Sequence, residues 1–251
     1  MVARIIAICF LLIIAVTSIF FFIINFTVWL LTVLVDRRLV ILQQLTCFWA
    51  AFYTYIFPMW QIRVSGRENI RTGACYMVTC NHQSQLDILV IFRLYFHFKF
   101  GSKSDIFRIP LIGWNMYLNR YIGLKRGDKE SIAKMMKDAS RTLDEKSSVL
   151  FFPEGTRSRD GVIKEFKLGA FTLAKEKQVP ILPIVVTGTK DALPKHQMKT
   201  HGVHQIRIRV LPEIPCSAFH DLTVQQTADM VRNIMIEGLE KLEEDLRNGV
   251  I

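Results

Sequence analysis

The chain has 251 residues, 51% of them hydrophobic, and a formal net charge of +10 from 32 Lys+Arg against 22 Asp+Glu. Its composition excludes a disordered chain, a collagen-like fibre and a small disulfide scaffold. The apolar residues are unevenly placed: Ile5–Val35 and Leu39–Ile62 carry no charge, and only Asp36-Arg37-Arg38 separates them. An ordinary soluble enzyme does not begin this way unless the segment is cleaved.

A secretory signal has an apolar core of about 7–15 residues and a small-residue cleavage site. The first run here holds 31 residues and ends in Asp-Arg-Arg, so it reads as a retained membrane segment. As a helix it would be about 47 Å long, against a hydrocarbon core of about 30 Å. It must tilt, lie partly among headgroups or bend back, with Thr17-Ser18 and Asn25 as the weak points. The second run sets Gln43, Gln44, Thr46 and Thr54 among Phe48, Trp49, Phe52, Tyr53, Tyr55, Phe57 and Trp60. Aromatics with scattered polar groups suit a membrane–water interface; a second transmembrane span is the alternative. Arg37 and Arg38 favour the cytoplasmic side. The expected location is therefore a membrane, the inner or plasma membrane in a bacterium, with the following domain facing the cytoplasm.

Residues 1–60, the membrane-embedded or interfacial helices, carry a net +2, leaving +8 on residues 61–251, which read as one catalytic domain. A basic domain beside an apolar anchor suits an anionic bilayer surface and anionic substrates. No basic helix or recognised motif supports nucleic acid as a partner. The five cysteines (Cys9, Cys47, Cys75, Cys80, Cys216) form no C-x-x-C pair and read as reduced, small apolar fillers.

Strands are predicted at Ala74–Cys80, Phe98–Ser102, Arg120–Leu124, Ser148–Phe152, Ile181–Thr187 and Ile206–Leu211. Helices are predicted at Ser84–Phe96, Lys129–Glu145, Phe166–Glu176 and Val224–Leu246, the last opened by the capping-box spacing Thr223-x-x-Gln226. Strands alternating with helices argue an α/β fold with a largely parallel sheet flanked by helices.

Three clusters carry chemistry. Asn81-His82-Gln83-Ser84-Gln85-Leu86-Asp87 follows an apolar strand. Five residues apart on a continuous helix, His82 and Asp87 would not share a face. They meet if Ser84 starts the helix, with Asp87 in the first turn, and then form a general base with an orienting carboxylate. Read alone, the motif equally fits a capping Asp87 and a surface His82. A bound hydroxyl would be the nucleophile; Ser84 or Cys80, as in a hydrolase, is the alternative.

The second cluster, Phe152-Pro153-Glu154-Gly155-Thr156-Arg157-Ser158, lies at a strand's carboxyl end, where open α/β sheets bind ligands. Gly155 lets backbone approach a ligand, Thr156 offers a hydroxyl, and Arg157 a fork for phosphate or carboxylate. Glu154 is expected to hold that arginine or a ligand hydroxyl. The third, Gly123-Leu124-Lys125-Arg126-Gly127-Asp128, offers Arg126 as a second phosphate ligand; Lys103 and Lys167 are weaker candidates.

Together these residues resemble the glycerolipid acyltransferase family typified by lysophosphatidate acyltransferases. Its N-H-x-x-x-x-D motif is matched by Asn81, His82 and Asp87, and F-P-E-G-T-R-S by Phe152 to Ser158. Tyr121–Arg126 resembles the motif between them, and Val179-Pro180-Ile181-Leu182-Pro183 the apolar fourth motif. The family's K-x-E-L-x-x-x-P-x-x-G reads Lys103-Ser104-Asp105-Ile106 with Pro110 and Gly113, and Leu168 stands where many members have a second lysine. The resemblance covers roughly residues 60–215 and implies an α/β domain beside an N-terminal two-helix membrane motif. It implies that His82, oriented by Asp87, deprotonates the sn-2 hydroxyl of lysophosphatidate for attack on the thioester of acyl-CoA or acyl-carrier protein. Arg157 and Arg126 would hold the phosphate, with Glu154 and Gly155 shaping the acceptor pocket. Neither a metal nor a cofactor is implied. A lipase or a lipid-binding pseudoenzyme is the competing reading.

Overall fold

The computed structural model describes residues 2–193 and 202–250, with side chains from residue 12 onward. Helix α1 (Val2–Thr32) runs unbroken through Thr17-Ser18 and Asn25. The hydroxyls there are occupied: Thr17 Oγ1 donates to the Ile13 carbonyl at 2.6 Å, and Ser18 Oγ lies 2.9 Å from Tyr53 Oη. The segment Leu12–Thr32 has a mean hydropathy of 2.3 and is long and apolar enough to cross a membrane. Leu12, Val16, Ile19, Phe20, Ile23, Leu30 and Leu31 are exposed along it.

Helix α2 (Val40–Ile56) folds back on α1, with Phe21 stacked on Trp49 at 5.9 Å. Its polar residues have a different use from the one their sequence context suggests. Gln43 Oε1 accepts from Tyr121 Oη at 2.7 Å, Thr46 Oγ1 accepts from Asn115 and Asn119 at 3.2 and 3.0 Å, and Gln44 Nε2 donates to the Tyr95 carbonyl at 3.1 Å. Gln43 and Thr46 are buried. A buried amide without a partner costs on the order of 1–3 kcal/mol, so these pairs fix the register of α2 on the residues beyond 61. Cys47 and Ala50 join the same apolar cluster as Val78, Leu86 and Leu150.

Strand β1 (Trp60–Ser65), hidden in sequence at the end of the second apolar run, begins an α/β sandwich. Next come β2 (Met77–Cys80), α3 (Leu86–Ile91), β3 (Phe98–Lys103), α4 (Ile112–Leu118), β4 (Ile122–Leu124) and α5 (Lys129–Asp144). After them come β5 (Ser148–Phe151), α6 (Gly169–Glu176), β6 (Ile181–Thr187), α7 (Thr189–Ala192), β7 (His204–Val210) and α8 (Val224–Arg247). The sheet order is β1-β7-β6-β2-β5-β3-β4. Strands β6, β2, β5, β3 and β4 are mutually parallel, and β7 is antiparallel to β6 but parallel to β1.

Alternation along the strands sends Val78, Leu150, Leu182 and Ile184 to the α2 and α3 side, and Met77, Val149, Ile181 and Val185 to the α5, α6 and α8 side. Helix α8 answers with Val231, Met235, Leu239 and Leu242 at helical spacing. Its capping box forms as expected, with Gln226 N donating to Thr223 Oγ1 at 3.2 Å and Thr223 N to Gln226 Oε1 at 2.8 Å. The predicted helix Ser84–Phe96 is shorter: α3 starts at Leu86 and passes into a 3-10 turn at Phe92–Leu94. Cys47, Cys75, Cys80 and Cys216 are free thiols, and the side chain of Cys9 lies outside the described residues.

Candidate active site

Strands β2 and β5 are neighbours, so the turns leaving their carboxyl ends, 81–85 and 152–168, meet above the sheet. Asn81 fixes the first turn. Its amide acts as an extra rung of the ladder, donating to the Val186 carbonyl at 2.9 Å and accepting from Val186 N at 2.8 Å. His82 follows. Its backbone N–H donates to Glu154 Oε1 at 2.8 Å, and its carbonyl accepts from Ser158 N at 2.7 Å. Its ring stacks on Phe152 at 4.2 Å. The two motifs, about seventy residues apart in sequence, thus clamp one imidazole.

His82 Nδ1 lies 2.7 Å from Asp87 Oδ2. The same oxygen accepts the backbone N–H groups of Gln83 and Ser84 at 2.7 and 2.9 Å, and Oδ1 accepts the hydroxyl of Thr189. Asp87 is completely buried, and these four donors stand in for the water its oxygens give up. Because Oδ2 already accepts two amides, the ring bond must be Nδ1–H donating to it. A neutral imidazole in that tautomer presents a lone pair at Nε2. Nε2 has no partner among the described residues, and 12% of the side chain is exposed. Ser84 does part of the capping expected of it: its N–H goes to Asp87, but its Oγ accepts from Leu86 N at 3.3 Å and donates to the Leu193 carbonyl at 2.7 Å.

Neither alternative nucleophile is available to His82. Ser84 Oγ is buried and committed to Leu193. Cys80 is buried at the strand end, with Sγ 3.3 Å from the Asn81 carbonyl. Burial, reinforced by Asp87 and Glu154, pushes its thiol well above the ordinary value, so it holds its proton.

Glu154 departs from its expected part. Its two oxygens accept from His82 N and from Lys164 N, at 2.8 and 3.2 Å, rather than holding Arg157. It pins the loop together, and burial pushes its carboxyl up from 4.5 against the pull of those amides. Gly155 has φ +68°, where a side chain is strained, and an added Cβ would lie 2.7 Å from Lys167 Cε. Thr156 is exposed and Arg157 half-buried, and no ion pair or hydrogen bond engages Arg157 among the described residues. Arg126, past the end of β4, is exposed. Lys103 closes β3, and its ammonium pairs with Asp105.

Sequence reading missed Thr189. It lies 102 residues beyond Asp87, and nothing local marks it. The one signal is Gly188, at φ +86°, where a Cβ would sit 2.1 Å from the Gln205 carbonyl oxygen. The tight turn it allows delivers Thr189 from the end of β6 to the dyad.

A sequence profile described as Acyltransferase matches residues 61–187. The chain is 44% identical over 142 residues to the Arabidopsis thaliana "1-acyl-sn-glycerol-3-phosphate acyltransferase LPAT1, chloroplastic", covering 55% of this chain and 39% of that protein. It is 32% identical over 192 residues to the Homo sapiens "1-acyl-sn-glycerol-3-phosphate acyltransferase alpha", covering 75% of this chain and 67% of that one. Against three of its curated plant and algal relatives the chain spans about half of their length, 39%, 56% and 48%. In fold it is similar to the crystal structure of the 1-acyl-sn-glycerophosphate (LPA) acyltransferase PlsC from Thermotoga maritima, with a TM-score of 0.69 and 21% identity, over 91% of this chain and 95% of that one. The sequence match, spanning the strands and loops that carry His82, Asp87 and Arg157, shows that the chain belongs to the Acyltransferase family.

Proposed function

We propose that the protein transfers an acyl group from acyl-CoA or acyl-carrier protein to the sn-2 hydroxyl of 1-acyl-sn-glycerol-3-phosphate, giving phosphatidate. The observation that carries the reading is an imidazole locked by a buried carboxylate at Nδ1, open at Nε2, with no hydroxyl or thiol among the described residues positioned to receive its help. A base so placed needs its nucleophile from outside. The curated relatives named for this substrate support the acceptor.

His82 Nε2 takes the proton of the acceptor hydroxyl as its oxygen attacks the thioester carbonyl. Asp87 stabilises the imidazolium that forms. Collapse of the tetrahedral intermediate breaks the carbon–sulfur bond, and His82 returns the proton to the departing thiolate. Arg157 and Arg126, whose guanidiniums have no protein partner among the described residues, hold the acceptor's phosphate. The lipid acceptor reaches the site from the bilayer, with α1 holding the domain at its surface and the catalytic side facing the cytoplasm.

The test uses the purified full chain in mixed micelles with radiolabelled acyl-CoA, lysophosphatidate, glycerol-3-phosphate and neutral lysolipids in parallel. Phosphatidate formation from lysophosphatidate is expected, falling by about 10²–10⁴-fold in His82→Ala. Full turnover in that variant overturns the base assignment. Release of free fatty acid in place of phosphatidate would favour the hydrolase reading.

A further inference from the structure

The opposite end of the sheet carries a second concentration of charge. There the loop joining α1 to α2 meets the amino-terminal starts of β3 and β4 and the last turn of α5. Together they enclose a cavity of about 300 Å³ whose wall carries Arg37, Arg38, Lys99, Arg120 and Arg141, against the acids Asp138 and Glu145. Part of this charge is accounted for locally. Arg141 pairs with Asp138 at 3.1 Å, and Arg120 donates to the Arg37 carbonyl at 3.2 Å.

Lys99 is not accounted for. It is 4% exposed, and its Nζ meets no hydrogen-bond partner among the described residues, nor does the buried Nε of Arg38. Buried cations are ordinarily paired, since an unpaired ammonium loses its hydration without compensation. Burial, with Arg120 close by, pushes the Lys99 amine down to about 7, although Asp36 and Glu145 act the other way. An anion in the cavity would hold the proton on Lys99 and give the guanidiniums an acceptor. Donors approaching from β3, β4 and the interhelical loop suit a tetrahedral oxyanion, which has acceptor oxygens on every side.

We propose that this cavity binds a phosphate group, as a lipid headgroup or as a free phosphate ester, with Lys99 as its buried anchor and Arg38 and Arg120 at its rim. The site is distinct from the reaction centre. Lys99 is the second residue of β3 and Lys103 ends it on the His82 side, a rise of about 13 Å along the strand. Leu34 and Val35, 85% and 82% exposed in the same interhelical loop, are the kind of surface that draws lipid to the rim.

The experiment follows thermal unfolding of the full chain in neutral detergent, with inorganic phosphate titrated against chloride at matched ionic strength. Phosphate is expected to raise the Tm of the wild type and of Arg157→Ala, which removes a phosphate ligand at the reaction centre. The rise is expected to vanish in Lys99→Met and to shrink in Arg38→Gln. Without phosphate, Lys99→Met should melt no lower than wild type and turn over lysophosphatidate normally, showing that it folds. A second arm places the protein in phosphatidylcholine nanodiscs with and without phosphatidylglycerol and measures the lipid retained by native mass spectrometry. A Lys99-dependent response to phosphatidylglycerol alone assigns a headgroup site, and one to inorganic phosphate assigns a free-phosphate site. No response in either arm, or responses that persist in Lys99→Met, overturns the proposal.

Discussion

Replacing Asp87 by asparagine separates the charge of the dyad from its geometry. Three N–H donors converge on Oδ2, from His82, Gln83 and Ser84, and one hydroxyl reaches Oδ1. The asparagine oxygen must take the Oδ2 position, because an NH₂ there would face three donors. Thr189 can then rotate its hydroxyl to accept from the new amide. The fold and the Nδ1–H tautomer are kept, and only the negative charge is lost. At a ring-to-carboxylate separation of about 4 Å and an effective dielectric of about 20, that charge is worth on the order of 4 kcal/mol to an imidazolium. The rate should fall about a thousandfold at roughly tenfold per 1.36 kcal/mol. Asp87→Ala differs in kind: it orphans two buried amides and a hydroxyl, at about 1–3 kcal/mol each, and should also lower the melting temperature. The assay is single-substrate saturation kinetics by thiol release, with calorimetry on the same preparations. A kcat for Asp87→Asn within about threefold of wild type, at an unchanged Tm, would refute the role given to the carboxylate.

Two further expectations follow from the clamp around His82. Glu154→Gln replaces an acceptor with a donor opposite one backbone amide and should cost about 1–3 kcal/mol in chemical denaturation. Because burial raises the carboxyl's folded value above 4.5, Glu154 favours the folded state below that pH, and the benefit is lost as pH rises through the raised value. Wild-type stability minus that of Glu154→Gln should therefore decline with pH just above 4.5, and a difference that rises there contradicts the burial argument. With Arg157 on the acceptor phosphate as proposed, Arg157→Ala should cost about 1.5–3 kcal/mol of charged hydrogen bonding, raising the acceptor KM roughly ten- to hundredfold while leaving the donor KM near its wild-type value. A change confined to the donor would remove Arg157 from the phosphate site.

Local sequence carried much of this protein. The 31-residue uncharged run specifies an apolar helix whatever surrounds it, and the strand-helix alternation specifies a mostly parallel sheet. The five-residue step from His82 to Asp87 could bring base and carboxylate together, because one turn of chain spans the gap and a capping serine sits inside it. Tertiary structure decided what depends on strand order. Pairing β2 with both β5 and β6 brings Glu154 and Thr189 to the same motif from opposite sides, and gives Glu154 two backbone amides instead of Arg157. The polar residues of the second apolar run show the same division. Their spacing among aromatics fits an interface with lipid, yet Gln43 and Thr46 face Tyr121, Asn115 and Asn119. Composition registers how apolar a helix is, but the partner of each buried polar group is chosen by what folds against it.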